Sequence, residues 1–317
     1  MKYTIPKHFN HNTIDDFLQK FGVVFSQIDK LERNVEVDCS KNHKISVIGI
    51  MLFYKWINFT LKRQCFYNPK LVDDKKGGFW NSFEKYNFVE LMKGIINHIP
   101  MKNEEQLYES LKISQDNNLI IAPQPMIRGN SLTKDNLHKI YAPKIIQFYG
   151  NYEISEMILT CISEILLNFW KHALEDPQSI LVAEGNKSKI EIGCADTGNG
   201  IISTLKEGNA EFRNLTSKQI LQKAIQRNVT SKPKTSHMGS GLWILDEIAT
   251  FTGGIFHLYS EGVSYKNQNG KKIFDNCGYW KGTIVYLNLP LQKPVAMGNI
   301  LKEEEKNDLN NIKLNII

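Results

Sequence analysis

Long hydrophobic runs are missing from this chain. The most apolar stretch, Ile45 to Tyr54, stops at Lys55, far short of the ~20 residues that cross a bilayer as a helix. No basic amino-terminal segment leads into an apolar signal region. Both absences point to a cytoplasmic protein with no membrane association. Cysteine is scarce and scattered: Cys39, Cys65, Cys161, Cys194 and Cys277 include no C-x-x-C pair, and none stands at metal-ligand spacing from a histidine. They read as buried thiols of a reducing compartment, which excludes a disulfide framework. Concentrated charge is also lacking. The formal net charge of +6 is spread over 317 residues, with Lys dispersed among Asn and Ile, so the basic stripe expected of a nucleic-acid binder is absent.

What remains is an ordinary globular composition, 42% hydrophobic and 23% charged, long enough for two domains. The stretch Cys161-Ile-Ser-Glu-Ile-Leu-Leu-Asn-Phe-Trp-Lys-His-Ala173 carries the most information. It presents Glu164, Asn168 and His172 at successive i, i+4 spacing, which puts a carboxylate, an amide and an imidazole on one helix face. Ile154, Ile158, Cys161, Ile165 and Phe169 form an apolar stripe suited to packing on a sheet. Taken alone, the same pattern fits an amphipathic helix with a solvated polar face. Downstream stand Asp196-Thr-Gly-Asn-Gly-Ile201, directly after the alternating run Lys189 to Ala195, and Met238-Gly-Ser-Gly-Leu-Trp243, opening another apolar helix. Gly282-Thr283 then leads into the strand-like Ile284 to Leu289.

Glu-x-x-x-Asn on a helix, Asp-x-Gly-x-Gly at a strand end and Gly-x-Gly-Leu at a helix start, in that order, resemble the nucleotide-binding boxes of the GHKL superfamily. That superfamily includes gyrase-type topoisomerases, heat-shock chaperones of the same fold, histidine kinases, anti-sigma-factor kinases and MutL-type proteins. The resemblance covers roughly residues 113 to 292. It implies the Bergerat ATP-binding fold, an α+β two-layer sandwich, with ATP and Mg²⁺ as ligands. Asp196 would accept a hydrogen bond from the adenine amino group, with Gly198 and Gly200 letting the backbone approach the base. Asn168 would coordinate Mg²⁺, and Glu164 would act as general base on a water in line with the γ-phosphate. Gly239, Ser240, Gly241 and Leu242 would meet the phosphates at a helix amino terminus. The same resemblance extends nucleotide contact to Lys171, His172, Ile201, Thr230, Ser231 and Thr283. Plainer readings stay open for several of these: a tight turn for the Asp196 loop, a solvated helix histidine for His172, solvated lysines for Lys232 and Lys234.

Ahead of this region, residues 1–112 alternate element types, with strands at Tyr3 to Ile5 and Asn34 to Asp38 and helices at Thr13 to Ile28 and Ile45 to Leu61. Such alternation predicts an α/β layer. The Val-Glu-Val-Asp-Cys-Ser turn and the helix after it resemble a STAS-type domain, which offers Ser40 or Ser46 as a phosphoacceptor. A supporting or dimerising domain without a phosphoacceptor is the alternative. Helices are expected at Glu104 to Leu111 and Leu132 to Phe148. The sequence around His138 lacks the acidic neighbour and arginine of a histidine-kinase phosphoacceptor. Residues 202–240 read as a lid, the connection from 261 to 282 as irregular, and residues 293–317 as a charged tail. The expected function is an ATP-binding signalling protein that hydrolyses Mg-ATP to switch its lid and amino-terminal domain. A Ser/Thr kinase acting on a STAS-like partner, and a non-hydrolysing ATP-dependent module, are the alternatives. A protein partner or a homodimer is expected.

Overall fold

The computed structural model describes residues 2–26, 35–62, 70–72, 78–88, 91–92, 118–127, 137–172, 178–231, 239–296 and 298–300. The helix expected at Glu104 to Leu111 and the tail beyond residue 300 lie outside them. The architecture is mixed α+β, organised by a seven-stranded antiparallel sheet. Its strands are β6 (Leu119–Ile127), β7 (Gln178–Gly185), β8 (Lys189–Ala195), β9 (Ile255–Ser260), β10 (Val263–Gln268), β11 (Lys271–Asn276) and β12 (Thr283–Pro290), in spatial order β11-β10-β9-β12-β8-β7-β6. The last strand in sequence is therefore inserted at the centre, between β9 and β8, where it pairs antiparallel with both.

Helices cover both faces. On one side lie α5 (Ala142–Tyr149), α6 (Tyr152–His172), α7 (Ile201–Gly208), α8 (Ser217–Ala224) and α9 (Gly241–Thr252). α6 starts where the Asn151 side chain accepts the Ile154 N–H at 3.0 Å, an amino-terminal cap. The stripe read from the sequence is its core face: Ile158, Cys161, Ile165 and Phe169 are buried, with Ile154 packed partly against them. They meet alternate residues of the sheet, including Leu181, Ile192, Leu258 and Leu287, as a period-two strand requires.

The opposite face is covered by the amino-terminal segment. There a small parallel sheet, β1 (Lys2–Thr4), β3 (Glu36–Asp38) and β5 (Lys70–Val72) in order β1-β3-β5, stands beside the two-stranded pair β2 (His8–Phe9) and β4 (Lys44–Ile45). Around them lie α1 (Ile14–Phe21), α2 (Val23–Ser26), α3 (Val47–Lys62) and α4 (Gly78–Lys85). α3 is apolar nearly all round, as a helix buried between layers must be. It crosses β7 and β8, where a Cβ at Gly193 would stand 3.1 Å from Met51 Sδ, so the missing side chain sets how closely the helix approaches. One core joins amino-terminal residues such as Phe17, Phe21, Met51 and Trp56 to Ile180, Val182, Ile284 and Tyr286 of the sheet. Polar ties reinforce it: Lys85 Nζ and Tyr86 Oη reach the two Glu184 carboxylate oxygens at 2.5 and 2.6 Å, and Lys266 pairs with Asp15.

Three elements differ from the sequence reading. β6 was not expected, because Pro123 and Pro125 interrupt its run; among the described residues the strand lies at the sheet edge and pairs only with β7, through shifts in register, the setting in which proline is tolerated. The connection from 261 to 282 is a regular hairpin, β10–β11. The segment 202–231 is not an open lid: it forms α7, a short turn of helix and α8, and buries Ile202, Leu205, Phe212, Ile220 and Leu221 in the main core. Among the described residues no helix is long and apolar enough to cross a membrane.

Candidate functional site

A cavity of about 290 Å³ opens between α6, α7, the start of α9 and the adjoining ends of β8 and β12. Its position follows from the chain's local chemistry. α6 turns Glu164 and Asn168 towards it from successive turns, while Cys161, on the buried side, has its thiol pushed up first by burial and then by the Glu164 carboxylate. Asp196 directly follows β8, is 8% exposed and lines the cavity. The Asp196 loop is held on every side. Its N–H donates to Thr283 O at 3.0 Å, its carbonyl accepts Trp280 Nε1 at 2.8 Å, and its carboxylate accepts the Gly198 N–H at 3.0 Å. Thr283, 87 residues away in sequence, is thereby placed beside Asp196 in the cavity wall.

The third wall is the loop before α9. Gly239 has φ +65, and a Cβ there would stand 2.6 Å from the Val229 main chain, so glycine is required both for conformation and for space. Ser240 makes no capping side-chain bond, so the first amides of α9 are not closed by their own cap. Gly241 brings the helix against α6: a Cβ there would be 2.6 Å from Glu164 Oε2 and 3.4 Å from Asn168 Nδ2. That Asn168 nitrogen is buried and has no hydrogen-bond partner among the described residues, an arrangement that costs on the order of 1–3 kcal/mol unless something else satisfies it. Opposite, Thr230 and Ser231 are held by the Asn209 amide, which donates to Thr230 O at 3.1 Å, and by close approach of the Ser231 main chain to Gly208. Arg227 lies over the Trp243 ring at 5.2 Å, tying this segment to α9.

Of the residues singled out from the sequence, Glu164, Asn168, Asp196, Ile201, Thr230, Ser231, Gly239, Ser240, Gly241, Leu242 and Thr283 all line this one cavity. No protein-family model and no curated protein matches the chain. Gly198 and Gly200 do not line the cavity but shape the turn. Gly198 serves the Asp196 carboxylate, while Gly200 is packed against Glu261, whose carboxylate accepts Ser203 N–H at 2.9 Å and also the Ser203 hydroxyl. Lys171 and His172 end α6, and their side chains lie outside the described residues.

Sequence reasoning missed the apolar walls: Ile165, Phe169, Cys194, Leu205, Ala224, Val229 and Val285, together with Asn199 and Thr204. Spacing was the available signal. Cys194 and Val285 stand two residues from Asp196 and Thr283 on their strands, hence on the same face, and Thr204 and Leu205 stand three and four residues past Ile201 on α7. Glu164 also lines a second cavity, of about 420 Å³, with Tyr152, Glu156, Thr160, Ser163 and His138. Among the described residues no three His, Cys, Asp or Glu side chains group as a metal site.

Proposed function

We propose that this chain is an ATP-binding signalling protein of the GHKL type, with the Bergerat arrangement of its ATP site, and that it hydrolyses Mg-ATP. The observation that carries the reading is the convergence of four motifs, separated by up to 119 residues between Glu164 and Thr283, on a single cavity that is largely apolar with a few polar groups. The residues present fit the ligands. Rotation of the Asn168 amide exchanges its nitrogen and oxygen, so the unpartnered buried position can offer an oxygen to a hard cation that draws its other ligands from water and phosphate. The space that a Cβ at Gly241 would fill lies between that amide and the start of α9.

Bound ATP supplies a transferable phosphoryl group. The chain's own residues then divide the work. Asp196 accepts from the donor edge of a bound base, with Ile165, Phe169 and Val285 packing on its aromatic ring. The uncapped amides of α9 and its dipole favour anionic groups. Asn168 would hold Mg²⁺. Glu164 accepts the proton of an attacking water.

Glu164's position between two cavities favours a second reading, in which an acceptor hydroxyl from a protein partner reaches it through the larger one. The STAS-like serines differ in their readiness to serve. Ser46 Oγ is buried, whereas Ser40 is half-buried and donates its hydroxyl to Asp38 at 2.6 Å. Incubation with γ-labelled ATP separates these readings: label in free phosphate supports hydrolysis, label on protein supports the kinase, and label in neither leaves binding alone. Glu164→Ala should retain ATP yet turn it over about 10²-fold more slowly. Equal phosphate release by parent and variant refutes the base assignment, and absence of ATP binding in calorimetry refutes the whole reading.

A further inference from the structure

Among the described residues β11 ends the sheet and is paired on its inner edge alone, with β10. The hairpin determines which of its groups face outwards. Asn269 and Gly270, with φ 52 and 82, form a two-residue turn that makes Gln268 and Lys271 the first hydrogen-bonded pair. Lys271, Ile273 and Asp275 therefore bond inwards to β10, and the N–H and C=O groups of Lys272, Phe274 and Asn276 point to the open edge. The side-chain faces are also determined. Lys272 Nζ reaches Asp246 of α9 at 2.6 Å and the Phe274 ring packs on Tyr265, so Lys271, Ile273 and Asp275 project from the other face. Every residue of the strand except Phe274 is exposed, Ile273 to 45%.

An open edge with an apolar centre is a template for another strand. We propose that β11 pairs with β11 of a second copy of this chain, antiparallel about a two-fold axis at Ile273, joining two sheets into one. The proposal is independent of what the cavity binds. Charge and register select a second copy. A two-fold axis perpendicular to a sheet keeps each face on its own side, so residues opposite one another must belong to the same face. With Ile273 opposite itself, Lys271 of each copy stands opposite Asp275 of the other, and Lys272 stands opposite Phe274 in hydrogen-bonded pairs that use the outward groups of both. Moving the axis to Phe274 sets Lys272 opposite Asn276, whose N–H is already taken by the Asp275 carboxylate at 2.9 Å. Moving it to Lys272 sets two ammonium groups face to face, which is unfavourable. Among the described residues the one cation paired with Asp275 is Lys218, at 4.0 Å, an exposed pair that a second copy can replace. One strand edge buries less than the roughly 1,200 Å² of a stable interface, so the dimer should be weak and concentration-dependent.

Ile273→Cys in the full chain tests the register. Residues on the axis form a non-hydrogen-bonded pair with Cα atoms about 4.5 Å apart, within disulfide reach. Mild oxidation should give a covalent dimer beyond the parent's background, whereas Phe274→Cys, out of register, should not. Sedimentation over about 1 μM to 1 mM tests the charges. Lys271→Asp and Asp275→Lys should each raise the dimer dissociation constant about tenfold or more, and the double variant should restore it. A parent monomeric throughout, a dimer indifferent to both reversals, or cross-linking at position 274 instead of 273 overturns the proposal.

Discussion

Gly241→Ala adds one methyl group at the point where α9 meets α6. The new Cβ would lie 2.6 Å from Glu164 Oε2 and 3.4 Å from Asn168 Nδ2. The first distance is too short, and relief requires a retreat of roughly 0.5–0.8 Å to reach ordinary contact. The carboxylate is the end of a flexible side chain, so it moves and the backbone does not. Alanine is a better helix former than glycine, and at this helix start the substitution should leave folding stability within about 1 kcal/mol of the parent, or raise it. Catalysis is less forgiving. A general base displaced by a large fraction of an ångström loses its alignment, and misplacement of about 1 Å is worth up to ~10²-fold in rate. The expected outcome is an unchanged urea midpoint with phosphate release at saturating ATP slowed roughly ten- to a hundredfold. A variant that is folded and turns ATP over like the parent would mean that Glu164 and Gly241 do not share a working site. A variant that fails to fold would show that the contact cannot relax through the side chain, contrary to the reasoning.

Asn168→Ala should weaken ATP binding by roughly 10- to 150-fold, the scale of one charge-assisted contact of about 1.5–3 kcal/mol. Because its amide nitrogen is buried without a partner among the described residues, the same substitution should leave stability unchanged or improved, and a large loss of stability refutes that. Asp196→Ala should lower affinity on the same scale but also loosen its loop, since the carboxylate accepts the Gly198 N–H; calorimetry with parent-like affinity for both variants refutes the site. His257 tests the docking of the amino-terminal layer. Burial, then Lys266 and His11, hold its pKa down at about 3, so the unfolded chain binds the extra proton between the ordinary value of 6.5 and about 3. Stability is therefore present above pH 6.5 and falls as the solution is acidified. His257→Gln should remove about 2–3 kcal/mol of that loss between pH 6.5 and 4.5 in denaturant titrations, and an unchanged acid profile refutes it.

Much of this molecule was legible locally. The i, i+4 placement of Glu164 and Asn168, the turn chemistry of Asp196 to Gly200 and the helix start at Gly241 depend on periodicity and on neighbours a few residues away, and those features read directly from residue order. β10 and β11 were legible in principle, from Glu261-Gly262 and Asn269-Gly270, two pairs with both residues at positive φ. β10 is polar although mostly buried, and β11 is exposed, so neither displays a strong alternation of apolar and polar residues. β6 was hidden because its prolines are tolerated only at an edge, and edge position is a property of the finished sheet. α7 and α8 are hard to tell from a lid in the sequence, because short helices carry too few apolar residues to announce a buried face.

The sequence by itself determined which polar side chains share a helix face and which helix or strand end presents each one. Tertiary structure alone decided that Thr283 stands beside Asp196, because that depends on the register of β12 against β8 across 87 residues. It alone decided that the back of the sheet is closed by α3, since Gly193 and Met51 carry no local mark of their contact. The reason is common to both cases: an apolar face specifies that it must be covered, while its partner is selected by fit among all the faces the chain offers.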